Sequence, residues 1–354
     1  MNSAKVAIYS QFFITFTKQK LRITVQIEIY TQSKTLPTLI KGSVLHSALL
    51  FRTIEHSKGC KPYMFVAYDE QKNELGHLLV IKRRTIRIIP PVLSYWYTIN
   101  GQGVYHSNCT NAERENIFAA FLKKTFDILD FRHTFIEALN IEDSRFAYSA
   151  LSARNFTPLR DQRLYISLHS KEPYERLTRA YKAHIRKAEK SGVTHHCATT
   201  PDEIKEGLKL MRNYYRSKIQ RKLPKENVLR TMLHTPDGSL SDEAKLFIVE
   251  HKGKIIGSSL CLYENGRANL AFSCGLRKSF PWLYPGIMAI WAAIIDAHHS
   301  GYAHFEFLEA RALPFTQRKF INTLLNYGGK QVGTLRWYRF KWNWINKILR
   351  KIYI

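Results

Sequence analysis

The sequence predicts an α/β class, with α+β character because strands joined by short turns mix with strands joined through helices, so that each sheet should be mixed. Three observations carry this expectation. Residues 21–30 alternate apolar and polar side chains, as a half-buried strand requires. Residues 111–129 switch to helical spacing, with Ile117, Phe121, Leu122, Phe126 and Leu129 on one face. The order helix, hairpin strands, helix, strand then runs twice without a detectable sequence repeat, which points to an internal duplication.

In the first half a helix is expected over 47–56, and Lys61-Pro62 introduces a strand over 63–68. A polar turn over 69–73 joins it to a strand over 76–82, and strands over 134–139 and 164–168 follow the long helix. The second half opens with a basic helix over 174–191 that stops at Gly192, a residue suited to a helix C-terminus. Next come a strand over 193–197 and helices over 202–217 and 225–233. Thr200-Pro-Asp-Glu203 is a strong helix start, with acids in the first turn where they meet the positive end of the dipole. Strands over 244–251, 255–263 and 268–274, a helix over 286–299 and a strand over 304–308 complete the series. The domain boundary is expected near 168–173. This divides the chain into an uncertain extension over 1–24, domains over 25–170 and 171–334, and a basic amphipathic helix over 335–354.

A chain of 354 residues is long for one core, which agrees with two domains. Five scattered cysteines with no C-x-x-C pair read as reduced thiols in a cytoplasmic protein, and no metal site is expected. His195-His196-Cys197 does not change that, because three consecutive strand residues cannot all face one ion. No apolar run reaches the ~20 residues needed to span a bilayer. Residues 1–24 lack a secretory pattern and read as a leader strand, a frayed extension or a mis-chosen start.

Charge is the strongest compositional signal: 54 Lys and Arg against 28 Asp and Glu, a formal +26. Such an excess is usually offset by an anionic partner, whether nucleic acid, an acidic membrane face or a phosphorylated substrate; a generally basic surface is the plainer reading.

Four segments in order carry a family resemblance: Arg186-Lys-Ala-Glu-Lys-Ser-Gly-Val193, Phe247-Ile-Val-Glu-His-Lys-Gly-Lys-Ile-Ile-Gly257, Gly301-Tyr-Ala-His-Phe-Glu-Phe-Leu308 and Asn326-Tyr-Gly-Gly329. Together they resemble the Fem-type branch of the GNAT acyltransferase superfamily, which includes peptidoglycan-bridge aminoacyltransferases. The resemblance spans roughly residues 28–335. It implies tandem GNAT-like domains, an acyl donor that is acetyl-CoA, another acyl-CoA or an aminoacyl-tRNA, and direct attack of an acceptor amine without a covalent enzyme intermediate. The acceptor would be an amine-bearing small molecule or a cell-envelope precursor. Such chemistry needs a base or water for the amine proton, donors at the developing oxyanion, and positioning.

Carried onto this chain, the resemblance puts the donor-phosphate loop at 276–286, between a strand and a helix N-terminus, where free N–H groups favour anions. Arg277, Lys278, Tyr284 and Gly286 are its candidate residues, with Ser273 and Cys274 on the preceding strand polarising the donor carbonyl. The usual Gly-x-Gly is missing, and an ordinary strand-to-helix loop accounts for these residues almost as well. Glu306 stands where the family strand places an acid, and His304 shares its face; a salt-bridged glutamate is the competing reading. Arg186 and Lys187 match the family motif on the basic helix, where Arg179, Lys182, Arg186 and Lys190 recur three or four apart and could grip phosphate oxygens. The family's terminal lysine is replaced by Leu324, with Arg318 and Lys319 as substitutes. The slot for the donor is expected where two strands of the second half splay apart.

After Glu309 there are ten Lys and Arg and no acid. Read as one helix, residues 335–354 put Arg336, Arg339, Asn343, Asn346 and Arg350 on one face and Trp337, Trp344, Ile345, Ile348 and Ile352 largely on the other. That pattern suits peripheral attachment to the anionic inner face of a membrane; docking on the domain's own core and contact with nucleic acid such as tRNA are the alternatives.

Overall fold

A computed structural model describes residues 13–14, 25–84, 95–128, 133–141, 145–219, 223–264, 266–308, 318–340 and 342–353. The chain forms two compact units, one of residues up to 160 together with 334–354, the other of residues 161–333.

Unit 1 contains β1 (Val25–Tyr30), α1 (Ala48–Glu55), β2 (Cys60–Tyr68), β3 (Glu74–Arg84), β4 (Tyr95–Asn100), α2 (Asn111–Ile128), β5 (His133–Ile141) and α3 (Tyr148–Ala153). Strand β6 (Thr157–Ser167) then carries the chain into unit 2. The sheet runs β1-β2-β3-β4-β5, antiparallel except for the parallel pair β4–β5. Both faces are covered, which is why 64–67 of β2 and 78–81 of β3 are apolar without alternation. Phe65, Leu78 and Val80 meet Phe118 and Phe121 of α2, while Met64, Val66, Leu79 and Ile81 meet Phe51 of α1.

Unit 2 contains α4 (Arg179–Lys190), β7 (Val193–Cys197), α5 (Pro201–Tyr214), α6 (Glu226–Leu233), β8 (Ala244–His251), β9 (Lys254–Glu264), β10 (Arg267–Gly275), α7 (Pro285–His299), β11 (His304–Phe307) and α8 (Arg318–Leu325). The end of β6 pairs with β11, and the sheet continues β11-β10-β9-β8-β7, with β10–β11 parallel. Helices α4 and α7 bury Ile185, Ala188, Met288 and Trp291 against one face. The predicted start of α5 is a complete capping box between Thr200 and Glu203.

Strand β12 (Lys330–Phe340) returns the chain to unit 1, and α9 (Asn343–Tyr353) follows. The helix expected over 335–354 is therefore a strand as far as Phe340. Residues 335–340 pair with β5, and alternation sends Trp337 into the unit 1 core, where it is fully buried and meets Tyr148 edge-on with ring centroids 5.0 Å apart. A period of two satisfies this segment's backbone through the ladder, and the 3.6-residue reading was the wrong choice for it. Arg336 and Arg339 thus share no helical face with Asn343 and Asn346.

The expectation for residues 1–24 lies outside the described residues except for Phe13–Ile14, a short strand paired with Val25 and Gln26. The helix expected over 174–191 breaks after a turn at Pro173–Arg176, where Leu177 is extended. Strand β4 and helices α3 and α8 were not anticipated.

Candidate active site

The described strand register bears on the slot expected in the second half. Strand β10 pairs with β11 only from Arg267↔His304 to Leu270↔Phe307. Among the described residues, β10 continues through 271–275 with no β11 partner. A bulge precedes this stretch: Leu260 of β9 opposes Phe272 while Cys261 opposes Leu270, so Ala271 is the extra residue. The Ser273 N–H points to the open edge, where it donates to the hydroxyl of Tyr215 at 3.3 Å. Tyr215 is fully buried, sits edge-on to Phe272, and opens the wide helical turn Tyr215–Ile219 that follows α5.

Beyond the open edge lies the start of α7. Gly257 and Gly275 face each other across β9 and β10 and make a flat spot on which Pro285-Gly286 rests. A Cβ on Gly275 would lie 2.2 Å from the Gly286 nitrogen, and one on Gly257 would lie 2.7 Å from the Pro285 oxygen. Both contacts are with backbone, so the strands cannot accept side chains there. Tyr284 precedes the helix in the left-handed region, at φ 48°, and no side chain caps the N-terminus. Uncapped N–H groups at the positive end of a helix favour an anion.

Helix α4 contributes the opposite wall. His184 stacks on Tyr284 with ring centroids 4.1 Å apart, and Lys187 lies 4.5 Å from the ring of Trp282, which is 66% exposed. Tyr181 packs edge-on against Tyr327, whose hydroxyl donates to the Ile287 carbonyl at 3.1 Å. Burial, then the Arg277 and Lys187 charges, push the His184 imidazole below its ordinary range. Burial pushes the Tyr181 phenol up to about 12, with Arg277 acting the other way. Lys187, Arg277, Tyr284 and Gly286 are thus brought to one place, with exposed Lys278 on the same loop. Arg186 instead lies over the ring of Tyr174, 5.5 Å from its centroid. Cys274 is buried in the sheet. Lys319 lies on α8, and its side chain lies outside the described residues. Leu324, where the resemblance implies a lysine, is fully buried in the unit 2 core.

The two acid–base candidates are elsewhere. Glu306 is 1% exposed and gripped by Arg163, Nε to Oε1 at 2.7 Å and Nη2 to Oε2 at 2.9 Å. It pairs across the sheet with Asn269, four positions before Ser273 and so on the order of 13 Å along the strand. His304 lies opposite Arg267, farther still, against the rings of Tyr165 and His169. The competing reading of Glu306 as a salt-bridged strand residue is the one its surroundings match. His196 Nε2 donates to Glu203 Oε1 at 3.0 Å, and no cluster able to hold a metal occurs among the described residues.

Sequence reasoning passed over His184, Tyr215, Trp282 and the Gly257–Gly275 pair. The glycines carried a usable signal, since each stands at an end of a strand that flanks the predicted turn; the aromatic residues carried none without the fold.

Residues 176–314 match the family model described as the acetyltransferase (GNAT) domain. Residues 176–314 are a GNAT domain. Its overall fold is of Fem type: the structure is similar to that of FemX, with a TM-score of 0.64 at 10% identity, over 88% of this chain and 96% of that one. It is also similar to L-PGS from Bacillus licheniformis, with a TM-score of 0.55 at 11% identity over 88% and 93% of the two chains. The C-terminal domain of a putative lysylphosphatidylglycerol synthetase from Agrobacterium fabrum gives a TM-score of 0.54 at 10% identity over 88% and 92%. No curated protein matches the sequence significantly. That domain makes the chain an acyltransferase, and residues 271–275 of β10 and the start of α7 fall inside the matched region.

Proposed function

We propose that unit 2 moves an acyl group from a coenzyme A thioester to an amine by direct attack. The carrying observation is the coincidence of the Ser273 N–H, which points away from β9 to the Tyr215 hydroxyl, with an uncapped helix N-terminus seated on Gly257 and Gly275. The thioester carbonyl would accept from the Ser273 N–H in place of the Tyr215 hydroxyl, putting a preorganised donor where negative charge develops. The donor's phosphates would lie against the α7 N-terminus, Gly286, Arg277 and Lys278, with Lys187 closing from α4. The amine proton leaves through water in the slot, because Glu306 is committed to Arg163. The likeness of the fold to FemX and to a lysylphosphatidylglycerol synthetase domain supports an acceptor among cell-envelope precursors.

A second reading uses aminoacyl-tRNA as donor. The +26 charge favours it, and the buried Leu324 in place of the family lysine counts against it. Thermal-shift titration separates the two. Acetyl-CoA at 100 times its Kd should add about 2.7 kcal/mol of stability, and an Arg277→Glu chain should need far more ligand for the same shift. No shift at millimolar acetyl-CoA, together with tRNA binding that weakens steeply with salt, would transfer the assignment to the tRNA-dependent reading. Neither response would leave a non-catalytic adaptor on this fold.

A further inference from the structure

Among the described side chains of the last helix, the buried one is polar while two of the exposed ones are large and apolar. Asn346 is buried: its side-chain amide donates to the Phe340 carbonyl at 2.9 Å and its oxygen accepts the Phe340 N–H at 2.8 Å. This pair locks the rotation of α9 against the end of β12. At 100° per residue, Trp344 and Ile348 lie about 160° around the helix from Asn346 and point away from the unit. They are 62% and 46% exposed, and Trp342 beside them is exposed too. Of the eight large hydrophobic side chains exposed among the described residues, three fall within these seven positions of chain. Lys347 and Lys351 are exposed on the same arc, one turn apart and interleaved with Trp344 and Ile348.

A helix that hides an asparagine and shows tryptophan and isoleucine to water is arranged for a partner. We propose that α9 docks the protein on an anionic membrane surface, lying flat with Trp342, Trp344 and Ile348 in the headgroup–acyl boundary and Lys347 and Lys351 on acidic headgroups. Charge complementarity selects this occupant. No acidic residue follows Glu309, so nothing on the segment repels an acidic surface, and the whole chain carries +26. Tryptophan with lysine on one exposed arc is the composition that an anionic lipid interface takes up. The docking goes beyond the transfer reading and stands on unit 1 geometry alone, so it is tested without any acyl donor.

The test uses full-length protein and sedimenting vesicles of phosphatidylcholine with or without 30% phosphatidylglycerol. Co-sedimentation with the anionic vesicles alone is expected. A Trp344→Ser, Ile348→Ser chain should lose it at least tenfold while keeping its melting temperature, because both side chains are exposed. Replacing Lys347 and Lys351 by glutamine should weaken binding roughly 30-fold, from about 1 kcal/mol per cation near an acidic surface. The proposal is overturned if the wild type stays in the supernatant, or if the serine chain binds as well as the wild type. It is equally overturned if light scattering shows a dimer that the serine chain cannot form while vesicles are ignored, since the face would then belong to a second copy. A thermal shift with acetyl-CoA is unaffected by any of these outcomes, so failure of docking and failure of acyl transfer remain distinct.

Discussion

Unit 1 is closed at the place where unit 2 is open. Both run strand, helix, three strands, helix, strand, and both place a parallel pair after the three-stranded meander. In unit 1 that pair is complete, with every position of β4 partnered from Tyr95↔His133 to Asn100↔Leu139. In unit 2, among the described residues, β10 runs on past its last β11 pair by the five residues 271–275. The helices that follow differ in the same sense. Thr110 and Glu113 cap α2 themselves, the Glu113 carboxylate accepting the Thr110 N–H at 2.7 Å while Thr110 Oγ1 accepts the Glu113 N–H at 3.3 Å. A carboxylate thus already occupies the positive end of α2, whereas α7 begins at Tyr284 with no side-chain cap. Duplicating a fold does not duplicate a site. The proposed site uses a strand edge facing Tyr215 and an uncapped helix end, and only unit 2 has this combination among the described residues.

Three experiments can break or sharpen this contrast. The largest effect is expected at the pair that holds the short β11 in place. Removing one partner of a buried ion pair leaves an uncompensated charge and costs about 3–5 kcal/mol, so Arg163→Met should sharply lower unfolding stability. Glu306→Gln should also destabilise, yet acyl transfer per folded molecule should persist. Normal stability with abolished turnover would instead make Glu306 the base and undo its structural assignment.

Next comes Gly275→Ala. Its Cβ would stand 2.2 Å from a backbone nitrogen that cannot move aside without lifting α7 from the sheet, a loss of about 1–3 kcal/mol by analogy with overpacking. Acetyl-CoA should then give no thermal shift at concentrations that saturate the wild type. An alanine chain with unchanged donor affinity would show that the seat of α7 does not build the site.

The smallest effect separates the units by pH. His46 is wholly buried in unit 1, where burial and then the neighbouring His77 push its imidazole down to about 3. Above pH 6.5 it is neutral folded or unfolded and contributes nothing to pH dependence. Between pH 6.5 and about 3 the unfolded chain takes up a proton that the folded one refuses, so stability falls with falling pH, by about 1.4 kcal/mol per unit. Denaturant unfolding between pH 7 and 5 should show this slope, and a His46→Gln chain should lose it.

Much of unit 2 was legible in advance because its signals are local. The apolar run Leu246-Phe-Ile-Val249 marks the strand over 244–251, and Thr200 with Glu203 announces α5 before any contact is known. Strand β4 escaped notice because Tyr-Trp-Tyr-Thr-Ile-Asn carries no apolar–polar alternation; buried in the middle of a sheet, it is defined by its neighbours on both sides. Trp337 misled for a related reason. A short segment of mixed aromatic and basic residues fits either period, and only pairing with β5 decides between them.

For the site, the loop over 276–286 and Lys187 could be named from the chain, and the role given to Glu306 could not be judged. An acid between two phenylalanines on a strand looks the same whether it faces a cleft or a guanidinium, and Arg163 lies 143 residues away in sequence. What the amino-acid order settled by itself was most of the succession of elements in unit 2, the cationic surplus and the start of α7, all consequences of side-chain period, charge and backbone freedom within a few residues. Which strand end stays unpaired, which helix end stays uncapped and which face of α9 meets water were decided by tertiary contact alone. Each depends on whether a distant segment arrives to satisfy a backbone group or cover a side chain, and no local property of the chain encodes that arrival.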